Sequence, residues 1–145
     1  METDIQQSHA EYAPEGVATT STTSVPCDGV EEVAEQILSA AALVHRAIGA
    51  DSAESMYEDH LAIELERRGI PFVRQVKVPC CFKCGFVINF IVGGQIIVEL
   101  NAANKGDPIQ EADVQVCMHL TGCLLGLLID FSAEVFDDRV VRKVY

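Results

Sequence analysis

The feature that most limits the fold is a hairpin pattern in the middle of the chain. Two segments rich in β-branched residues, 85–92 and 95–102, are separated only by Gly93-Gly94. A pair of glycines between two apolar segments is a strong signal for a tight turn that joins antiparallel strands. The sequence therefore predicts a strand pair against which the rest of the chain must pack.

Two helices are predicted before this hairpin. The first begins near Asp28, ends at Gly49 and carries apolar residues at helical spacing. Its stripe consists of Val33, Ile37, Ala41, Val44 and Ile48. The second begins near Asp51 or Ser52 and ends at Gly69, and its stripe consists of Tyr57, Leu61 and Leu65.

Further elements complete an alternating pattern. Residues 72–82 predict a strand before the hairpin, and Pro108 opens a third helix with the stripe Ala112, Val116 and Leu120. Residues 124–131 read as a buried strand and residues 140–145 as a terminal edge strand. The order ααβββαββ predicts an α/β fold in which a mixed sheet is flanked by helices.

The charge of the chain limits its partners. The formal net charge is −12, and the first 35 residues hold eight of the 22 acidic residues and no Lys or Arg. The negative electrostatic field of such a chain repels nucleic acid. Proteins bind nucleic acid mainly through contacts of Lys and Arg with phosphate. Nucleic acid is therefore a disfavoured partner, and a protein partner or a homo-oligomer is expected.

The N-terminal segment differs from the remainder in composition. Residues 1–27 are acidic and rich in Ser and Thr, which predicts a disordered tail ahead of one domain at 28–145. No apolar run has membrane-spanning length, and the first residues lack the basic and apolar pattern of a secretory signal. A cytoplasmic location is expected, with the six cysteines mostly as reduced thiols.

Six short motifs narrow the interpretation. Together with the order of elements, they resemble the PD-(D/E)XK nuclease superfamily, and within it the bacterial family named for its GxxExxY motif. The likeness spans residues 30–145. The motifs are Val44-His45-Arg46, Glu54-Ser55-Met56-Tyr57-Glu58, Leu61-Ala62-Ile63-Glu64-Leu65, Arg68-Gly69-Ile70-Pro71-Phe72, Ile97-Val98-Glu99-Leu100 and Leu120-Thr121-Gly122.

The resemblance implies a magnesium site built from a helix Glu, a strand Asp and the Glu of an ExK triplet, whose Lys assists hydrolysis. Glu54, Tyr57 and Glu99 match this pattern, but Asn89 stands at the Asp position and Asn101 at the Lys position. An amide brings no charge to a hard cation or to a scissile phosphate. Losing one such electrostatic group commonly costs about 10²–10³ in rate. The resemblance therefore implies a pseudoenzyme.

Other departures leave alternatives open. Asp51 replaces the opening Gly of the motif, and Asp113 stands where a helix Gln is often seen. Asp113 and Lys105 could compensate for the two amides, which would give a reconfigured nuclease that uses Mg²⁺.

The retained residues also have purely structural interpretations. Asp51 and Glu54 have the spacing of a capping box, so Glu54 could cap its helix. Tyr57 lies on an apolar face and suits a core residue with a hydrated hydroxyl. Glu99 lies on a buried strand and needs a partner, because an unpaired buried carboxylate is costly. Glu99 is therefore the best remaining marker of a site.

Cys81 and Cys84 form a third possibility. Two thiolates separated by two residues resemble half of a zinc knuckle, but no clean second pair follows. Small apolar fillers around a turn are the simpler interpretation. Three functions thus remain: an inactive nuclease-fold protein that binds a partner and needs no cofactor, a weak Mg²⁺-dependent nuclease of DNA or RNA, and a small zinc-binding module.

Overall fold

The computed structural model describes residues 29–80, 83–102, 111–132 and 140–144. The predicted tail at residues 1–27 lies outside these ranges, so it stays a prediction. The order of elements confirms the predicted ααβββαββ arrangement. The elements are α1 (Val30–Ile48), α2 (Glu54–Arg67), β1 (Phe72–Cys80), β2 (Lys83–Val92), β3 (Ile96–Asn101), α3 (Glu111–Thr121), β4 (Leu125–Asp130) and β5 (Val140–Val144).

The five strands form one mixed sheet in the order β1-β2-β3-β4-β5. β3 and β4 are parallel neighbours, and the other neighbouring pairs are antiparallel. β3 is buried along its whole length, and β4 is buried up to Ile129. Apart from Glu99 and Asn101 on β3 and Asp130 on β4, these two strands are apolar without alternation, because helices cover both of their faces.

Helices cover the sheet from two sides. α1 and α2 pack on one face and enclose a core that includes Ile37, Tyr57 and Leu61, so the predicted stripes of both helices point inward. α3 packs on the other face against a second core. We call these the α1–α2 core and the α3 core. None of the described helices has the length and apolar content that a bilayer crossing requires.

The predicted buried face of α3 is wrong for two of its three residues, since of that stripe only Leu120 packs against the α3 core. Ala112 and Val116 are exposed, whereas the buried side chains are Val114, Cys117 and Met118. Gly126 on β4 explains this choice: a Cβ atom there would lie 2.5 Å from Val114 Cγ1 and 2.8 Å from Met118 Sδ. The helix therefore packs directly on a glycine of the neighbouring strand, a contact that the sequence of α3 alone does not reveal.

The turn between β2 and β3 differs slightly from the prediction. Gly93 and Gly94 have positive φ angles of 59° and 70°, a conformation that favours glycine. Gln95 also belongs to the turn, because Val92 pairs with Ile96 and the Gln95 N–H donates to the Val92 carbonyl at 3.1 Å. The hairpin therefore has a three-residue loop rather than a two-residue one.

Strand alternation is interrupted where Gln75 on β1 lies opposite Asn89 on β2. The residues on both sides of these two keep one register, and Gln75 has a φ of 51° in the left-handed region. Phe90 contributes to the α1–α2 core, whereas Ile88 contributes to the α3 core. Residues two apart on a regular strand share a face. The face therefore changes at Asn89, and its side chain points toward α2 together with Phe90.

Candidate functional site

Asn89 lies where β2 and β3 stop pairing through their backbones. Its own N–H donates to Glu99 Oε1 at 2.8 Å, and its side-chain Oδ1 accepts the N–H of Leu100 at 2.9 Å. Side chains thus replace the backbone ladder that runs from Phe90 to Val92. Because the Leu100 N–H must meet an oxygen, this contact fixes the orientation of the amide.

The amide nitrogen of Asn89 points at two carboxylates of α2. Nδ2 lies 3.0 Å from Glu54 Oε2 and 2.7 Å from Glu58 Oε1. The two glutamates are four residues apart and therefore share one face of the helix. A primary amide has two N–H donors, and both are used here. Asn89 therefore connects acidic side chains from α2 and β3, and its Nδ2 lies where two carboxylates converge.

Glu58 also accepts hydrogen bonds from two residues of β1. Its Oε1 also accepts Gln75 Nε2 at 2.5 Å, and its Oε2 accepts Arg74 Nη2 at 2.6 Å. The same Arg74 nitrogen donates to Asp59 Oδ1 at 2.5 Å. Glu58 is only 6% exposed, so these donors replace the water that its charge would otherwise hold. We call Glu54, Glu58, Glu99, Asn89, Arg74 and Gln75 the carboxylate cluster.

Arg74 brings a permanent positive charge into the carboxylate cluster. Burial disfavours its charged form, but hydrogen bonds to Asp59 and Glu58 outweigh that cost and hold the pKa of Arg74 above its ordinary value. Its guanidinium carbon lies 5.9 Å from the centre of the Phe90 ring. Its Nε is buried without a hydrogen-bond partner among the described residues. The side chain is thus held through its outer nitrogen and through contact with Phe90.

Three of the four residues singled out by the nuclease pattern meet in this cluster. Glu54, Asn89 and Glu99 are joined by the hydrogen bonds above. Asn101 follows two residues after Glu99 on the same strand, so the two side chains share a face, and it is buried. The fold thus brings Glu54, Asn89 and Glu99 into one hydrogen-bonded group, with Asn101 further along β3.

The capping interpretation of Glu54 is wrong. α2 begins at Glu54 itself, with Ala53 as its N-cap residue and no side-chain cap hydrogen bond. The Glu54 carboxylate instead accepts the Asn89 amide. Its place in the molecule is therefore determined by the carboxylate cluster and not by the helix end.

Tyr57 is a core residue, and its hydroxyl bonds to the backbone. The side chain is fully buried and stacks on Phe131 with 4.3 Å between ring centres. The hydroxyl donates to the Gly49 carbonyl and accepts the Ser52 N–H at 3.2 Å. Tyr57 therefore bonds to the backbone between α1 and α2 and not to the carboxylate cluster.

Asp113 lies in the first turn of α3, and α3 covers the sheet face opposite to α2. Glu54 and Glu58 approach the sheet from the α2 side. Lys105 lies outside the described residues. The suggestion that Asp113 and Lys105 rebuild an active site therefore stays a prediction.

The zinc alternative gains no support from the described cysteines. Cys81 and the side chain of Cys84 lie outside the described part of the structure. Burial raises the pKa of the Cys123 thiol, although a hydrogen bond with Thr121 opposes this effect. Within the described ranges, no three His, Cys, Asp or Glu side chains are grouped to hold one metal ion.

The donor set does not fit the magnesium site that the nuclease pattern implies. A Mg²⁺ ion needs several oxygen ligands in near-octahedral geometry. Here the inner oxygens of Glu54 and Glu58 face the hydrogens of the Asn89 amide, and Glu99 accepts a backbone N–H. A cation at that point would meet donor hydrogens instead of a third carboxylate. The hydrogen bonds of this arrangement instead join α2 to the strands β2 and β3.

Sequence reasoning missed Glu58, Arg74 and Gln75. One signal was available for Glu58, because it shares the helical stripe of Leu61 and Leu65, where an acid needs a buried partner. Arg74 and Gln75 carry no comparable local signal. Their role depends on the approach of α2 to β1, which only the fold shows.

Comparisons with known proteins give one match. A family model described as the PD-(D/E)XK nuclease superfamily matches residues 31–143, which includes the whole carboxylate cluster. The search of curated proteins and the search of solved structures each found no match.

Proposed function

Because this chain belongs to the PD-(D/E)XK nuclease superfamily, we propose that it keeps the nuclease fold without hydrolytic activity and acts by binding a protein. The partner is either a different protein or a second copy of the chain. We assign the chain more narrowly to the GxxExxY-like group and place it in the cytoplasm.

The observation that carries this proposal is the position of Asn89 Nδ2 between Glu54 and Glu58. In the metal-dependent pattern this position belongs to an aspartate, whose charge attracts an ion. The amide instead satisfies both carboxylates by donating hydrogen bonds. An ion would have to displace these bonds and would gain only a neutral ligand in return.

Asn101 removes a second requirement of the reaction. It stands at the lysine position, so it brings no cation toward a developing phosphate charge. Preorganised charges of this kind supply a large part of the rate enhancement in hydrolytic sites. With neither the aspartate nor the lysine, the carboxylate cluster serves the fold and leaves the surrounding surface for binding.

The surface beside the carboxylate cluster supports a binding role. Beyond Gln75 and Asn89, Val76 and Ile88 turn into the α3 core, so the opposite side chains of β1 and β2 point away from it. Lys77 and Val87 pair across the strands on that side, and Val87 is 52% exposed. We propose this face as the contact with the partner. The edge strand β5 is the alternative contact, because its outer side has no strand neighbour in the described sheet.

Restoration of the metal site tests the proposal. The natural chain and the double variant Asn89→Asp/Asn101→Lys are titrated with Mg²⁺ by calorimetry and incubated with supercoiled plasmid. We expect Mg²⁺ binding or nicking only in the double variant. Adding Glu54→Gln to the double variant should abolish the gain, which links it to the site and not to a contaminant.

The same measurements distinguish the other functions. If the natural chain nicks plasmid in Mg²⁺ and loses this activity with Glu54→Gln or Glu99→Gln, it is a nuclease and the proposal is wrong. If elemental analysis finds one zinc per chain, the zinc module built on Cys81 and Cys84 replaces the proposal. Size-exclusion chromatography with light scattering then shows whether the partner is a second copy.

A further inference from the structure

Arg74 occupies an unusual position for a charged residue of an edge strand. One nitrogen, Nη2, lies 2.6 Å from Glu58 Oε2 and 2.5 Å from Asp59 Oδ1. A single nitrogen of the positively charged guanidinium thus lies at the convergence of two carboxylates. Glu58 has an 8% exposed side chain, so its charge has little water to compensate it.

The three donors around Glu58 divide its two oxygens. Oε1 accepts the neutral amides of Asn89 and Gln75, while Oε2 accepts the charged nitrogen of Arg74. The amides can satisfy lone pairs but cannot neutralise charge. Arg74 is the cation that the described hydrogen bonds bring to Glu58.

We propose that Arg74 is a positioning residue that takes over, for Glu58 and Asp59, the charge compensation that a divalent ion gives to such acids. The acids around Asn89 then stay assembled without metal. This inference deepens the proposed function and rests on it, since it assumes that the natural chain holds no ion there.

Removing the guanidinium should make Glu58 and Asp59 depend on a divalent ion for charge compensation. In Arg74→Ala, two carboxylate oxygens converge on a space that was occupied by Nη2, and their mutual repulsion is no longer compensated. Hard divalent cations prefer such carboxylate oxygens. The variant should therefore become sensitive to Mg²⁺ or Mn²⁺, whereas the natural chain should not.

Arg68, the C-cap residue of α2, provides a matched control. It pairs with Glu64 at 3.3 Å and donates to Gln36 Oε1 at 2.8 Å, so its loss also breaks an ion pair of α2. Its nitrogen does not join two carboxylates: Nε meets Glu64, and Nη1 meets Gln36. Arg68→Ala should lower stability without creating any response to divalent ions.

The experiment compares melting temperatures of the natural chain, Arg74→Ala, Arg74→Lys and Arg68→Ala. Each is measured with a chelator, with millimolar MgCl₂ or MnCl₂, and with KCl at matched ionic strength. We expect Arg74→Ala to melt about 5 °C or more below the natural chain with chelator and to recover at least about half of that with Mn²⁺. Arg74→Lys should keep most of the stability, because it keeps the charge.

A second variant covers the case in which Arg74→Ala does not fold. Glu58→Gln/Arg74→Ala removes the buried charge together with its counter-ion, so it should be more stable than Arg74→Ala alone. The inference is overturned if divalent ions do not stabilise Arg74→Ala, or if they stabilise Arg68→Ala equally. It is also overturned if the double variant is no more stable than Arg74→Ala. A response of the natural chain to Mg²⁺ would contradict the proposed function instead.

Discussion

The strands β3 and β4 and the strand pair β1–β2 are held in place by different kinds of interaction. β3 and β4 pair in regular parallel register, and they are enclosed by helices on both faces. The β1–β2 pair instead changes faces at Gln75 and Asn89. Beside Asn89, side-chain hydrogen bonds with β3 take the place of backbone pairing. Apolar burial determines the first region, and a small set of hydrogen bonds and charges determines the second.

This difference shows where function can change without loss of the fold. The central strands depend on many interchangeable apolar contacts, each replaceable by one of similar volume. The carboxylate cluster depends on a few donors that must match a few acceptors. An asparagine suits this position because its own amide donates to two neighbouring carboxylates.

The largest loss of stability should follow a change that removes hydrogen-bond donors from the carboxylate cluster and adds an acid. Asn89→Asp replaces two donors with a carboxylate beside Glu54 and Glu58, and we expect it to lower the free energy of unfolding by about 4 kcal/mol in metal-free buffer. Urea denaturation measures this. Gln75→Glu is the matched control, because it faces the same Glu58 oxygen from an exposed position. Equal losses in the two variants would show that burial of the cluster is unimportant.

Truncating a core side chain on β4 measures how much apolar burial stabilises the region of β3 and β4. Leu127 is fully buried on β4, and Leu127→Ala should lower the free energy of unfolding by about 3 kcal/mol through lost contacts and a cavity. Val87→Ala in the hairpin should cost less than about 0.5 kcal/mol, since this side chain is half exposed. A larger loss for Val87→Ala would mean that its face is covered in solution, which supports association of the chain.

A smaller effect is expected where α3 meets β4. Gly126→Ala places a methyl group 2.5 Å from Val114 Cγ1, and we expect a loss of about 2 kcal/mol from overpacking. Combining it with Val114→Ala should cost less than the sum of the two single changes, because the second removes the clash. Strictly additive losses, measured by thermal and urea denaturation, would show that the helix moves freely away from the sheet.

The smallest change in stability should come from Gln75, whose backbone is left-handed within β1. Gln75→Gly relieves the left-handed backbone but removes the hydrogen bond to Glu58. Each of these terms is about 1 kcal/mol, so the free energy of unfolding should change by less than about 0.5 kcal/mol. Gln75→Ala loses the bond and keeps the strain, and it should be the less stable variant. The reverse ranking would mean that the turn of the strand at Gln75 is not strained.

The fold was predictable from the sequence because apolar periodicity and glycine positions are local signals. The order of elements, the mixed sheet and the terminal strand β5 all follow from such signals. The buried face of α3 was not predictable in this way, since two stripes of the helix have suitable spacing. Gly126, on another element, decides between them.

The residues of the candidate site also fall into those that the sequence predicted and those that it did not. The family pattern located Glu54, Asn89 and Glu99, whose contacts join three separate elements. Arg74 could not be located, because an arginine in a strand segment looks like an ordinary solvated residue. Its importance arises from the approach of Glu58, which no local pattern of β1 encodes.

Tyr57 gives the spacing between Glu54 and Tyr57 a structural role. Its hydroxyl joins Gly49 and Ser52, the two ends of the short connection that leads into α2. The tyrosine therefore determines the register at which the helix starts, and with it the place of the glutamate three residues earlier. In this chain the spacing of Glu54 and Tyr57 therefore meets a demand of the architecture. A glutamate–tyrosine pair at this spacing should accordingly not be used, without its aspartate and lysine, to infer a working nuclease.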